Sequence, residues 1–178
     1  MTLVELVVAM GIFSVVLAVA TVGIRQMVLA VNRTADIGDS TTEVQRAFQR
    51  LDRTLRYADQ VSALATAGSD WEFWYRLPSS AALGVATPTC YQWRYVAAQR
   101  VLQVRSWQAG TTAPSYGTIA SRVTAATATP TAAAVPFTSA RVPISITSQE
   151  RGAGVTLMTT FVARNTKQLT PVGQSCTV

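Results

Sequence analysis

The sequence predicts an α+β chain: one long N-terminal helix, a transmembrane half followed by an amphipathic half, packed against a head of mostly antiparallel β-sheet. Three observations carry this. Residues 1–24, MTLVELVVAMGIFSVVLAVATVGI, are apolar throughout except at Glu5. From residue 25 to about 60 the apolar positions recur at four-three spacing, which lays one stripe along a helix. Beyond residue 68 the period falls to two, and aromatic and β-branched residues take over, as strands require. At 178 residues the chain accommodates one domain of about 100–150 residues plus a long terminal element. The predicted organisation is a transmembrane and assembly helix at 1–24, its amphipathic continuation at 25–60, and a β-rich globular head at 61–178.

The first segment, if helical, spans roughly 36 Å, enough to cross the roughly 30 Å hydrocarbon core of a bilayer. A secretory signal peptide is the competing reading, but it calls for a basic n-region and a shorter apolar stretch; the first basic residue here is Arg25. Glu5 is then the residue to explain. A carboxylate in hydrocarbon costs several kcal/mol unless it is paired. The candidate partner is the α-amino group of Met1, either one turn away in the same helix or on a neighbouring chain. The bland alternative places Glu5 at the interface as a solvated flank.

Thr2-Leu3-Val4-Glu5-Leu6, followed by an apolar helix containing Gly11, resembles the mature N-terminus of the type IV pilin superfamily, with Met1 where Phe is usual. The resemblance is close over 1–24 and looser to about residue 60. It implies a single-pass protein of the cytoplasmic membrane that later joins a cell-surface filament or a periplasmic pseudopilus. It further implies leader removal by a prepilin peptidase, N-methylation at Met1, and pairing of Glu5 with the N-terminal amine of an adjacent subunit. The partners it implies are other pilin or pseudopilin subunits. The aromatic-rich head and the run from Phe48 to Arg56 look more like minor pilins or the J-type pseudopilins of type II secretion than major pilins. The presence of Glu5 argues against the tip pseudopilin that lacks this acid.

Along the second half of the helix, Ile37, Thr41, Val44, Phe48, Leu51, Leu55 and Ala58 form the apolar stripe, with Gly38 as a candidate bend. This stripe is expected to carry the head; a coiled-coil seam is the rival, sustained for only three heptads. Strands are expected at 71–77, 90–96, 101–107, 142–147 and 155–163, with a hairpin connection at 97–100. Tyr91, Trp93 and Tyr95 share one face of their strand, Gln92 and Arg94 the other. Residues 109–140 are rich in Ala, Thr, Ser and Pro and read as a long surface loop, a candidate for O-glycans or contacts with neighbours. Residues 151–154 read as a turn, and Asn32-Arg33-Thr34 is a weak glycosylation match on a helix.

All of the net charge of +6 lies in the head: nine basic residues against three acids from residue 61 onward. Such a field favours anionic partners, extracellular DNA among them. Arg76, Arg94, Arg100 and Arg105, interleaved with Trp71, Trp74, Tyr75, Tyr91, Trp93, Tyr95 and Trp107, are the candidate nucleic-acid contacts; the plainer reading makes the rings core and the arginines solvated. Cys90 and Cys176 have neither metal-ligand nor C-x-x-C spacing, so a disulfide is expected, with two buried free thiols as the alternative. With no histidine the chain lacks any Ser-His-Asp or Cys-His arrangement, and no phosphate or dinucleotide loop is present. No enzyme activity, cofactor or metal is expected. The expected function is that of a structural filament subunit. The alternatives are a DNA-binding competence pilin or adhesin, and a membrane-anchored receptor head that does not polymerise.

Overall fold

The computed structural model describes residues 2–80, 84–132, 139–150, 153–166, 169–171 and 176, with Ser40, Glu150 and Ala153 described by their backbone alone. Helix α1 runs unbroken over Leu3–Leu55, through Gly38, with Thr2 as its N-cap. It ends a turn earlier than its period suggests. The Tyr57 N–H bonds Thr54 O at 3.2 Å and the Ala58 N–H bonds Leu55 O at 3.0 Å, tightening the last turn. Two carbonyls beyond it are taken by the chain after the last long strand: Arg56 O accepts from the Arg164 N–H and Ala58 O from the Thr166 hydroxyl. With those acceptors filled, the backbone turns and enters β1 (Gln60–Ser62).

Two sheets make the head. The larger holds β1, β2 (Ala65–Ala67), β3 (Asp70–Leu77), β4 (Thr89–Val96), β5 (Val101–Gln108), β6 (Gly117–Ala120) and β11 (Leu169–Thr170), in the order β11-β1-β3-β4-β5-β6, with β2 also on β3. All of its pairings are antiparallel except β1 with β11. The smaller sheet holds β7 (Val123–Ala128), β8 (Thr131–Ala132), β9 (Ala140–Glu150) and β10 (Ala153–Ala163), in the order β10-β9-β7 with β8 also on β9. The five expected strands are present within one to three residues of their bounds. The hairpin at 97–100 is present too, with Arg100 at φ 55 and its N–H on Ala97 O at 3.2 Å.

The long surface loop expected at 109–140 is a correction. Three strands, β6, β7 and β8, lie inside it, and β9 begins at its end. The reason lies in the alternation of Val123, Ala126 and Ala128, which face the core, with threonines and Ala125 on the other side. Alanine and threonine fit a pleated surface without announcing burial, so the period is real and its amplitude small. Residues 133–138 of that segment, and 151–152 of the expected turn, lie outside the described residues.

The chain crosses from one sheet to the other at Ser121-Arg122, where Arg122 takes φ 60. The Glu43 carboxylate holds this corner, accepting from the Ser121 N–H at 2.9 Å and its hydroxyl at 3.0 Å. The core is the space between the two sheets and the last three turns of α1. Val44, Ala47, Leu51 and Leu55 from the helix meet Trp71, Phe73, Tyr75, Trp93 and Tyr95 from the larger sheet and Val142, Ile144 and Ile146 from the smaller. Phe48 meets Phe161 edge to face at 5.5 Å. The stripe therefore carries the head from Val44 onward, while Ile37 stays exposed.

Candidate functional site

Only the last part of α1 belongs to the head. Among the described side chains none of the helix before Val44 is buried, and those at 3–22 and 24–35 are all exposed. Between Leu3 and Val31 the only charged residues are Glu5 and Arg25, so the uncovered surface is apolar. This helix is long and apolar enough to cross a membrane. The apolar surface does not stop at Arg25. Met27 (71 %), Val28 (53 %), Leu29 (66 %) and Val31 (67 %) continue it in the exposed state. Residues 3–31 extend about 43 Å along the axis, against about 30 Å of hydrocarbon.

At the start of the helix, Glu5 donates its N–H to Thr2 Oγ1 at 3.4 Å and to Thr2 O at 3.1 Å. Thr2 and Glu5 are thus the N-cap and third residue of a capping-box pattern, T-x-x-E. The reciprocal bond is not made. Among the described residues the Glu5 carboxylate has neither a hydrogen bond nor an ion pair, and it projects from the exposed end of the helix. Met1, its expected partner and the expected site of processing and methylation, lies outside the described residues.

Cys90 and Cys176 form the expected disulfide, closing 86 residues with a Cα–Cα distance of 6.2 Å. It lies on the outer face of the larger sheet with Trp74 and Trp107 packed around it, and it fixes Cys176 there.

The four arginines considered for nucleic acid do not form one site. Arg76 is bidentate on Asp59, at 3.1 and 2.8 Å. Arg100 lies in the β4–β5 turn, on the rim of a cleft of about 540 Å³ whose lining includes Trp71, Tyr95 and the β7 backbone. Arg94 and Arg105 do come together, on the outer face of the larger sheet, because β4 and β5 pair Arg94 with Gln103 and Gln92 with Arg105. Their common neighbour is Tyr116, whose ring centroid lies 3.7 Å from Arg94 Cζ and 4.3 Å from Arg105 Cζ. Tyr116 could not be singled out from the sequence, because it sits in the segment read as loop. Of the rings, Trp71, Tyr75, Trp93 and Tyr95 are core, which fits the plainer reading for them; Trp107 and Tyr116 are half-buried on the outer face. Among the described residues no group of three or more His, Cys, Asp or Glu side chains converges.

The chain matches no protein-family model, no curated protein and no solved structure. What is established is an α+β molecule with one long, apolar, uncovered N-terminal helix packed by its far end onto β-sheet.

Proposed function

We propose that the chain is a structural subunit of a pilin-like filament, a type IV pilus or a related pseudopilus, held in the cytoplasmic membrane before assembly and built in through α1. The observation that carries the reading is the apolar surface beyond Arg25. If hydrocarbon covers about 20 residues from Leu3, then Met27, Val28, Leu29 and Val31 stand outside it in water. An untilted span of that length leaves them outside the lipid, and the head does not cover them. Their burial is worth on the order of 1–2 kcal/mol each, and helices of neighbouring subunits supply the matching surface.

Glu5 fits the same account. A carboxylate at the centre of hydrocarbon costs about 2.5–3.5 kcal/mol on insertion scales and less toward a helix end, where Glu5 lies; that cost is removed when a neighbour's N-terminal amine comes alongside. The carboxylate therefore disfavours the isolated helix and favours one axial register in the bundle. A receptor head on a lone anchor needs only the membrane-spanning part of this surface and leaves residues 27–31 wet.

Single cysteines placed at Val8, Val15, Val22 and Leu29 in the full chain in membranes, then oxidised, test this directly. Dimers from single cysteines on the packed face, extended to a ladder of multimers when two such cysteines stand in one chain, support the proposal. Monomers from every position contradict it.

A further inference from the structure

We infer that Arg94, Arg105 and Tyr116 form a phosphodiester-binding site on the outer face of the larger sheet, suited to a strand of single-stranded nucleic acid. The inference is independent of filament assembly. Its basis is an unneutralised pair of guanidinium groups held in place by neutral partners. Arg94 donates through Nε to Gln103 Oε1 at 2.7 Å. Arg105 donates to Gln92 Oε1 through Nε at 2.9 Å and Nη2 at 2.6 Å, and through Nη1 to Pro114 O at 3.4 Å. Every acceptor is an amide. Glu72 faces Arg94 directly across β3 and β4, yet no ion pair forms between them: its carboxylate accepts from the Tyr116 hydroxyl at 3.3 Å instead. The two terminal nitrogens of Arg94 have no acceptor among the described residues.

Both guanidinium groups lie over one ring, so their charges are at most about 8 Å apart, the two centroid distances laid end to end. Like charges this close repel, and an anion placed between them removes the repulsion while filling the free donors of Arg94. Arg105 also lies 5.4 Å from the centre of the Trp107 ring, so partly exposed rings flank the pair. Charge beside a stacking surface is the combination that holds an unpaired strand, phosphate on the cations and base on the ring. A lipid headgroup is the weaker candidate. Residues 32–43 lift the head about 18 Å clear of the apolar part of α1, about twice the Debye length at physiological salt.

The test uses the full chain in a nonionic detergent and a fluorescein-labelled oligothymidylate, read by anisotropy. Two phosphate contacts give a single-strand salt slope of about −1.4, an affinity about 25-fold weaker for a tenfold rise in salt. R94Q with R105Q should flatten that slope, whereas R141Q, which removes one exposed charge from the other sheet, should leave both slope and affinity unchanged. If the double variant loses its near-UV dichroism, R94Q alone replaces it, since Arg94 makes only one of these bonds; the slope should then fall by about half. Equal losses in R141Q and the double variant would mean a diffuse field and overturn the site. Absence of oligonucleotide binding at low salt overturns it too, as does binding confined to phosphatidylglycerol vesicles.

Discussion

Replacing Tyr75 with Phe tests the packing of head on helix at a single oxygen. Tyr75 is fully buried. Its hydroxyl lies 2.6 Å from Thr54 Oγ1 on α1 and accepts from Trp93 Nε1 at 3.3 Å. The Thr54 hydroxyl also has Arg50 O as an acceptor at 3.0 Å, and when it donates there Tyr75 is the donor in their bond. The variant keeps the ring and its stack on Tyr91, 5.3 Å between centroids. What it loses is a cross-link from sheet to helix and, among the described residues, the only acceptor of the buried Trp93 indole N–H. An orphaned buried donor costs about 1–3 kcal/mol, so a loss of about 2 kcal/mol is expected. That lowers the unfolding temperature by roughly 4–8 °C for a chain of this size. Thermal unfolding in nonionic detergent, followed by near-UV dichroism, measures it. The same residue gives a pH prediction. Burial pushes the Tyr75 hydroxyl well above the ordinary phenol value near 10. Its contribution is therefore fully present below about pH 10 and is lost as pH rises further, because the unfolded chain then releases the proton and the folded one does not. Stability of the Phe variant should fall less steeply above pH 10. Burial raises Tyr95 and Tyr116 in the same direction, so a residual slope remains. A shift below about 1 °C together with superimposable alkaline profiles would refute the account of this contact.

Three other perturbations follow from the same geometry. Reducing the Cys90–Cys176 bond opens a loop of 86 residues and should cost roughly 4–5 kcal/mol in the chain-entropy model, read as a lower denaturant midpoint. E43A leaves the Ser121 N–H and hydroxyl without their acceptor at the crossover between sheets; a loss of about 1–2 kcal/mol in chemical unfolding is expected. F161A removes the edge contact with Phe48 between β10 and α1 and should cost about 3 kcal/mol by the same measurement.

The parts of this fold legible in the sequence are those where burial and residue type change together. The four-three stripe and the aromatic strands alternate large apolar with polar side chains and lie close to where their periods put them, and the start is legible as an unbroken apolar run. The smaller sheet was half hidden because β7 alternates alanine with threonine, a contrast too weak to separate from a low-complexity loop. The end of α1 depended on carbonyl acceptors claimed by Arg164 and Thr166, more than a hundred residues away in the chain, which no local pattern encodes. The placement of Arg94 and Arg105 on one face of the sheet followed from strand alternation once the hairpin was placed. Tyr116 did not, since it joins them from a segment without period. Thr2 is readable as the partner of the Glu5 N–H from T-x-x-E spacing alone.

The claim that α1 is an assembly surface whose acid governs assembly is tested most directly by electron microscopy of cells carrying either the native chain or E5A, with the subunit located by a head-directed antibody. The account predicts label along surface or periplasmic filaments for the native chain, and label confined to the membrane for the variant at unchanged protein level. Equal labelling of filaments in both strains would contradict the role of Glu5, and label confined to the membrane in both would contradict assembly itself.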